Sequence, residues 1–215
     1  ISNRLTGGPN NSSCLNNDEQ MGEGWSDFFS LVTTKRPGDK GTDARGIGTY
    51  ALNETPTGRG IRTYPYSTDF TVNPHTMDDI VGSSGPHYLG EIWATTLWDL
   101  YWKMIEVYGD DGNLYGGTGG NSKAVQLVMQ GMKLQPCGPG MLDGRDAILD
   151  ADSLLNGGAN TCLIWDVFAR RGMGYFAKQN DPNNRNDNIS DFTSYPYCQN
   201  KIIISKQMSK EVDPS

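Results

Sequence analysis

Residues 87–109 read HYLGEIWATTLWDLYWKMIEVYG. Leu89, Ile92, Trp93, Leu97, Leu100, Tyr101, Met104, Ile105 and Tyr108 recur at helical spacing. Together they cover well over half of the circumference. A helix apolar nearly all round is buried on most sides, so this segment is expected at the centre with other helices around it. Gly109 ends it.

Four further helices can be read outward from that one. A helix is expected from Gly22 to Thr34, stopped by Pro37 and Gly38. A Gly-rich loop, GDDGNLYGGTGG at 109–120, precedes SKAVQLVMQGMKLQ at 122–135, which stops at Pro136. The next helix runs from about Met141 to Leu155 on Leu142, Ala147, Ile148, Ala151 and Leu155, and Gly157 and Gly158 close it. TCLIWDVFARRGMG at 161–174 starts behind Asn160 as an N-cap and ends in Arg170, Arg171 and Gly172. That is the charge and glycine order a helix C-terminus favours. Residues 1–18 read as a polar loop. Residues 35–86 form a long irregular stretch of the kind that carries function. The tail at 175–215 is loop-rich, Asn/Asp-rich from Asn180, with KIIIS at 201–205 as a short strand. With no internal repeat and no convincing sheet, the expectation is one mostly α domain over residues 1–215.

Composition narrows the function classes. The 215 residues are 36% hydrophobic, with 27 Gly, 11 Pro and a net charge of −7. That acidity argues against a nucleic-acid or anionic-membrane surface, which needs a basic patch. No apolar run reaches the roughly 18 residues of a membrane span. The first residue is Ile, so the chain is expected to be processed or cut from something longer. Cys14, Cys137, Cys162 and Cys198 contain no CxxC pair, and only His75 and His87 accompany them. Two disulfides in a secreted protein fit better than a Cys/His zinc site, with Cys137–Cys162 the first expectation and four buried thiols the alternative. Sequons at Asn11, Asn53 and Asn188 would be open to glycosylation in a eukaryotic secretory route.

The chemistry-bearing residues cluster at EQMGEGWSDFF, 19–29. Glu23 and Asp27 lie four apart, on one face of a helix. An isolated ExxxD is usually two surface carboxylates. Here the glycines around Glu23 let another segment approach, and Trp25, Phe28 and Phe29 bury the helix. A partly buried carboxylate pair needs cations. His87 opens the central helix behind Pro86, where the helix N-terminus favours a neutral ring able to donate one hydrogen bond; a lone histidine there more often caps or packs. His75 reads as an ordinary loop residue. Arg62, beside polar aromatics in RGIRTYPYSTDF, can hydrogen-bond a peptide carbonyl bidentately, or simply be a solvated loop arginine. Asp110, Asp111 and Asn113 are too short a run for an EF-hand loop.

ISNRLTGGP at 1–9, MGEGWSDF at 21–28, YPYSTDFTVNP at 64–74, QPCGPGMLDGRDAILDAD at 135–152 and GGANTCLIWDVFARRGMG at 157–174 resemble the fungalysin metallopeptidases. These are secreted zinc endopeptidases of the thermolysin-like, gluzincin group. The resemblance implies the helical C-terminal lobe, beginning just after the HExxH helix, with residues 35–86 beside the cleft. It implies Glu23 as third zinc ligand, the two histidine ligands and the general-base glutamate lying upstream. It makes Asp27 the carboxylate that orients a zinc-ligand histidine, His87 the oxyanion stabiliser and Arg62 the binder of the substrate carbonyl. The thermolysin pattern puts an orienting Asp five residues before that histidine. Position 82 is Gly, and Asp78 and Asp79 are the nearest acids.

The partners so implied are a peptide or protein substrate and the missing N-terminal lobe, with no nucleic acid and no membrane. The cofactor is zinc in the complete enzyme, expected absent from this chain alone. The chain by itself is expected to be inactive, with water, a lysine or arginine, or a neighbouring molecule beside Glu23 and Asp27, and with one of the two binding a proton at higher pH than usual. Two other classes compete. A non-catalytic binding or structural module would need none of the four residues. A glycan-active domain would need a second carboxylate opposite Glu23.

Overall fold

The computed structural model describes residues 1–198. Among the described residues the α-helices are, in order, α1 (Ser2–Leu5), α2 (Gly22–Thr34), α3 (Pro86–Tyr108), α4 (Gly120–Leu134), α5 (Met141–Asn156) and α6 (Thr161–Arg170), with short 3-10 helices at Thr49–Leu52 and Met77–Ile80. The fold is mostly α, as the periodicities predict. Among the described residues, strand pairing is confined to isolated bridges such as Arg45 with Tyr66 and Lys178 with Ile189. The KIIIS segment lies outside the described residues.

The central helix is α3. Leu89, Ile92, Trp93, Leu97, Trp98, Leu100 and Met104 are all fully buried in it. It packs mainly against α2 and α4, and also against α6, while α5 lies on α4. Its two ends leave the core, with Pro86 and His87 exposed at the start and Ile105 half-buried and Tyr108 exposed at the end. The α2 stripe is Gly24, Trp25, Asp27, Phe28, Leu31 and Val32. That i, i+3, i+4, i+7 pattern defines a helix lying flat on a core. Trp25 meets Trp93 edge-on at 5.0 Å, and Trp93 in turn meets Phe168 of α6 at 5.8 Å. Fully burying each large apolar side chain contributes roughly 1.5–3 kcal/mol, so this Trp–Trp–Phe column ties three helices together.

Several expectations need correction. Residues 1–18 are not wholly loop, because Ser2–Leu5 forms one turn with Arg4 and Leu5 N–H donating to the Ile1 carbonyl. The Asn160 side chain does not cap α6. It spans α5 and α3 instead: Nδ2 donates to Asp152 Oδ1 at 2.6 Å, and Oδ1 accepts from the Tyr108 hydroxyl at 2.5 Å. Fully buried Asp152 thereby takes the inward position in the last turns of α5, and Leu155 is left exposed.

The disulfides are Cys14–Cys137 and Cys162–Cys198, not Cys137–Cys162. The 16 residues of α5 separate Cys137 from Cys162, a rise of about 24 Å. The N-terminal segment lies along the end of α4 instead: Gly138 N–H donates to Cys14 O at 2.8 Å, and Gln135 Nε2 donates to Thr6 Oγ1 at 2.7 Å. Of the sequons, Asn11 and Asn53 are exposed. The Asn188 amide nitrogen is engaged by Glu19.

Candidate functional site

The site begins where α2 crosses α3. A Cβ added to Gly24 would stand 2.5 Å from Gly90 O, and one added to Gly90 would stand 2.6 Å from Gly24 N and 2.7 Å from Glu23 Cβ. Two facing glycines therefore bring the helix backbones into contact. Glu23 adjoins this point on α2, and His87 sits one turn before it on α3. His87 Nδ1 lies 3.0 Å from Glu23 Oε2. Trp25 and Phe28 are buried beside Glu23 and Asp27, and the carboxylates share one helix.

Arg62 comes from the irregular segment and joins all three. Its Nη2 donates to Glu23 Oε2 at 3.1 Å and to Asp27 Oδ1 at 2.9 Å. Its Nε donates to Asp27 Oδ2 at 2.6 Å, and Nη1 lies 3.2 Å from His87 Nδ1. The Tyr66 hydroxyl donates to Asp27 Oδ2 at 2.5 Å. Arg62 is thus the cation that the carboxylate pair requires. Of the five guanidinium N–H groups, one on Nη1 is left uncommitted, so a carbonyl can take one hydrogen bond from it rather than two. Asp27 accepts three hydrogen bonds and keeps one acceptor position on Oδ1.

The electrostatics follow from burial and partners. Burial alone would raise the Glu23 carboxyl, but the Arg62 hydrogen bond and nearby His87 hold it below the usual range. The expectation of a proton held at higher pH therefore fails for Glu23, because Arg62 supplies the compensating charge. Burial would lower Arg62, and Asp27 overrides it, so the guanidinium is more firmly cationic than usual. Burial, reinforced by Asp27, pushes the Tyr66 hydroxyl well up, so it is a permanent donor at neutral pH.

The His87 ring is 71% exposed while Glu23 is 39% exposed. With Nδ1 turned to Glu23 and Arg62, Nε2 is the ring atom left to face outward. Neither nearby acid orients this ring. Asp79 accepts from His75 at 3.1 Å, and Asp78 accepts from Ser190. A cleft of about 640 Å³ lined by Lys40, Thr68, Asp99, Trp102, Glu106 and Arg170 includes none of Glu23, Asp27, Arg62 and His87. His87 and Glu23 reach the surface, while Asp27 and Arg62 are buried beside them.

His75 is not an ordinary loop residue. It is 1% exposed, with Nδ1 on Asp79 and Nε2 3.2 Å from Glu91 of α3. Burial would lower its pKa, but Asp79 and Glu91 overcome that and raise it. Glu91 also accepts the Thr63 N–H on both oxygens, at 3.0 and 2.9 Å. This clamp fixes the backbone next to Arg62. The signal in the sequence was Glu91 itself, a carboxylate among the apolar residues of the central helix. In the Gly-rich loop, Asp111 is occupied by the Asn113 and Thr118 N–H groups, and Asp110 pairs with Lys35 at 2.7 Å.

The family described as fungalysin metallopeptidase (M36) matches residues 1–177. The chain belongs to the fungalysin family. Among curated fungalysin relatives, the extracellular metalloproteinase mep of Aspergillus fumigatus is 45% identical over 191 residues, 85% of this chain and 30% of its own length. Extracellular metalloproteinase 3 of Arthroderma otae is 43% identical over 193 residues, 86% of this chain and 30% of its own. Extracellular metalloproteinase 2 of Arthroderma gypseum is 42% identical over 182 residues, with 81% and 28% covered. The chain therefore spans under a third of the length of these relatives. Fungalysin membership implies a metal cofactor. Among the described residues no three His, Cys, Asp or Glu side chains converge as a metal-binding group, and none of the helices is long and apolar enough to cross a membrane.

Proposed function

We propose that this chain is the helical lobe of a secreted zinc endopeptidase, contributing Glu23 as one of three zinc ligands. The single observation that carries the reading is the convergence of Glu23, His87 and Arg62 within 3.0–3.2 Å at the Gly24–Gly90 crossing. Glu23 fits a metal ligand: its carboxyl is held deprotonated, and it is half-exposed toward solvent. The other two ligands, both histidines, and the general-base glutamate would come from outside this chain. Bound zinc would supply Lewis acidity at the scissile carbonyl and at a water.

This chain's own residues then have separable tasks. His87 presents Nε2–H to the oxygen that gains charge, while Nδ1 accepts from Arg62 Nη1, which fixes this tautomer. Removing one such donor typically costs about a hundredfold or more. Arg62 offers its remaining Nη1 N–H to a substrate carbonyl, holds Asp27 by two hydrogen bonds and keeps Glu23 ionised. Asp27, through its free Oδ1 position, orients a ligand histidine from the other lobe, which fixes the tautomer. His75 and Glu91 hold the Thr63 backbone so that Arg62 stays in place.

The test uses the whole enzyme and the 215-residue chain side by side. In the whole enzyme, Glu23→Gln should lose zinc and peptide cleavage together. His87→Ala should keep zinc and lose turnover a hundredfold or more. The isolated chain, after dialysis, should hold no stoichiometric zinc and cleave no peptide. Full zinc and activity in Glu23→Gln would end the reading.

A further inference from the structure

Three segments meet ahead of the α2 N-terminus: residues 17–19, residues 139–143 and the loop 179–188. The carbonyl of Pro182 accepts both the Asn17 side chain, at 3.2 Å, and the Glu19 N–H, at 3.0 Å. Asn17 Nδ2 also donates to Pro139 O at 2.9 Å. Asn188 donates to Glu19 Oε1, and Asp181 N–H donates to Asp187 Oδ2 at 3.3 Å. Gln179 Nε2 donates to Asp143 Oδ2 at 2.6 Å.

Glu19 is fully buried at this junction. Its second oxygen, Oε2, is buried without any partner, and so are Asn17 Oδ1, Asp187 Oδ1 and Asn188 Oδ1. Asn17 and Glu19 share the Pro182 carbonyl, Asn188 bonds to Glu19, and Asp187 is the chain neighbour of Asn188, so four unsatisfied acceptor oxygens lie on two segments that meet here. An unpaired buried acceptor costs about 1–3 kcal/mol, and more when it is charged. No ion pair reaches Glu19, Asp143, Asp181 or Asp187 among the described residues. The one arginine of the loop, Arg185, donates its Nη1 to Ser83 O at 2.7 Å. Burial pushes the Glu19 carboxyl up to about 7 despite the Asn188 hydrogen bond, and Asp187, Asp181 and Asp143 push it further. The junction has too much oxygen and too little positive charge.

We infer that Asn17, Glu19, Asp187 and Asn188 form a calcium site. The chemistry of the donors selects the ion. All four orphans are oxygens, two from carboxylates and two from amide carbonyls, on two separate segments of irregular backbone. Calcium accepts such mixed oxygen ligands at 2.3–2.6 Å in flexible geometry with six to eight positions, so waters complete the shell. Magnesium demands near-ideal octahedral geometry and keeps most of its own water. Transition metals prefer nitrogen or sulfur, and the site offers neither. With only two carboxylates, the affinity belongs in the range of extracellular calcium modules, about 10⁻⁴–10⁻³ M. The ion would staple the 179–188 loop to Asn17–Glu19, one turn ahead of the Glu23 position. It would thereby brace the start of α2.

The experiment measures calcium binding after EGTA treatment and dialysis, by equilibrium dialysis with CaCl₂ at pH 7.5. It uses both the 215-residue chain and the whole protein. Glu19→Gln and Asp187→Asn should each lower the stoichiometry by one calcium relative to the parent. The parent's thermal midpoint should rise with CaCl₂, and that increment should vanish in both variants, with MgCl₂ giving a much smaller effect. Asn188→Asp, which replaces an amide oxygen by a carboxylate, should bind calcium several-fold more tightly and guards against a variant that fails to fold. Asp111→Asn should leave binding unchanged. Absence of binding in the parent overturns the inference, because the orphan oxygens are then satisfied by a proton or water. Calcium retained in both Glu19→Gln and Asp187→Asn, or lost in Asp111→Asn, also overturns it by placing the ion elsewhere.

Discussion

The helix crossing at Gly24 and Gly90 can be tested one methyl group at a time. Gly90→Ala puts a Cβ 2.6 Å from Gly24 N and 2.7 Å from Glu23 Cβ, where ordinary contact begins near 3.4 Å. The obstructing atoms are mainly backbone, so no rotamer change relieves them, and one helix must back away by roughly 0.8 Å. Overpacking of this kind costs about 1–3 kcal/mol, here toward the upper end. Alanine in a helix interior recovers up to about 1 kcal/mol over glycine. The net loss should be about 1–2 kcal/mol, or a fall of roughly 2–8 °C in the thermal midpoint for a chain of this size. Gly24→Ala should behave alike, since its Cβ would lie 2.5 Å from Gly90 O. Gly22→Ala is the control, meeting only the tip of the Gln20 side chain; it should be neutral or slightly stabilising. Urea and thermal unfolding of the three variants give the answer. If Gly24→Ala and Gly90→Ala unfold at the same midpoint as Gly22→Ala, close helix approach is not what places Glu23 against His87.

The buried His75 predicts a pH dependence. Its folded pKa is raised, so its stabilisation is fully present below the ordinary value near 6.5 and is lost as pH rises through the folded value. The groups facing it are Asp79, Glu91, Tyr64 and Tyr88. The urea midpoint should fall on the alkaline side of that window, and His75→Gln should flatten the slope while costing about 3 kcal/mol at pH 6; an unchanged slope would remove His75 as its source. The two disulfides should differ in weight. Cys14–Cys137 closes a separation of 123 residues and Cys162–Cys198 one of 36. On chain entropy the double Ser variant of the first pair should be less stable than that of the second by about 1 kcal/mol. The reverse order in denaturant titrations would contradict the loop-length argument.

Local pattern and tertiary placement divided the information in this chain unevenly. The periodicity of 87–108 and of 22–34 determined two helices and which faces they bury, because a 3.6-residue repeat of large apolar groups has one low-energy reading. Motif likeness carried Glu23, Asp27, His87 and Arg62, and spacing already put the two carboxylates on one face. What spacing could not say was that Arg62, more than thirty residues away from both, would be their common counter-charge, or that it would thereby keep Glu23 ionised. That depends on how an irregular segment folds back over two helices, a long-range matter with no local repeat to reveal it. The same holds for the disulfide partners, which α5 holds apart or brings together by its length. It holds for His75, whose burial depends on Glu91 from another element. It holds for Asn160, whose side chain abandons the cap for a buried aspartate. Sequence alone set the helices and the residue types that can do chemistry. The contacts between distant segments decided which of those residues are charged, which are buried and which face one another.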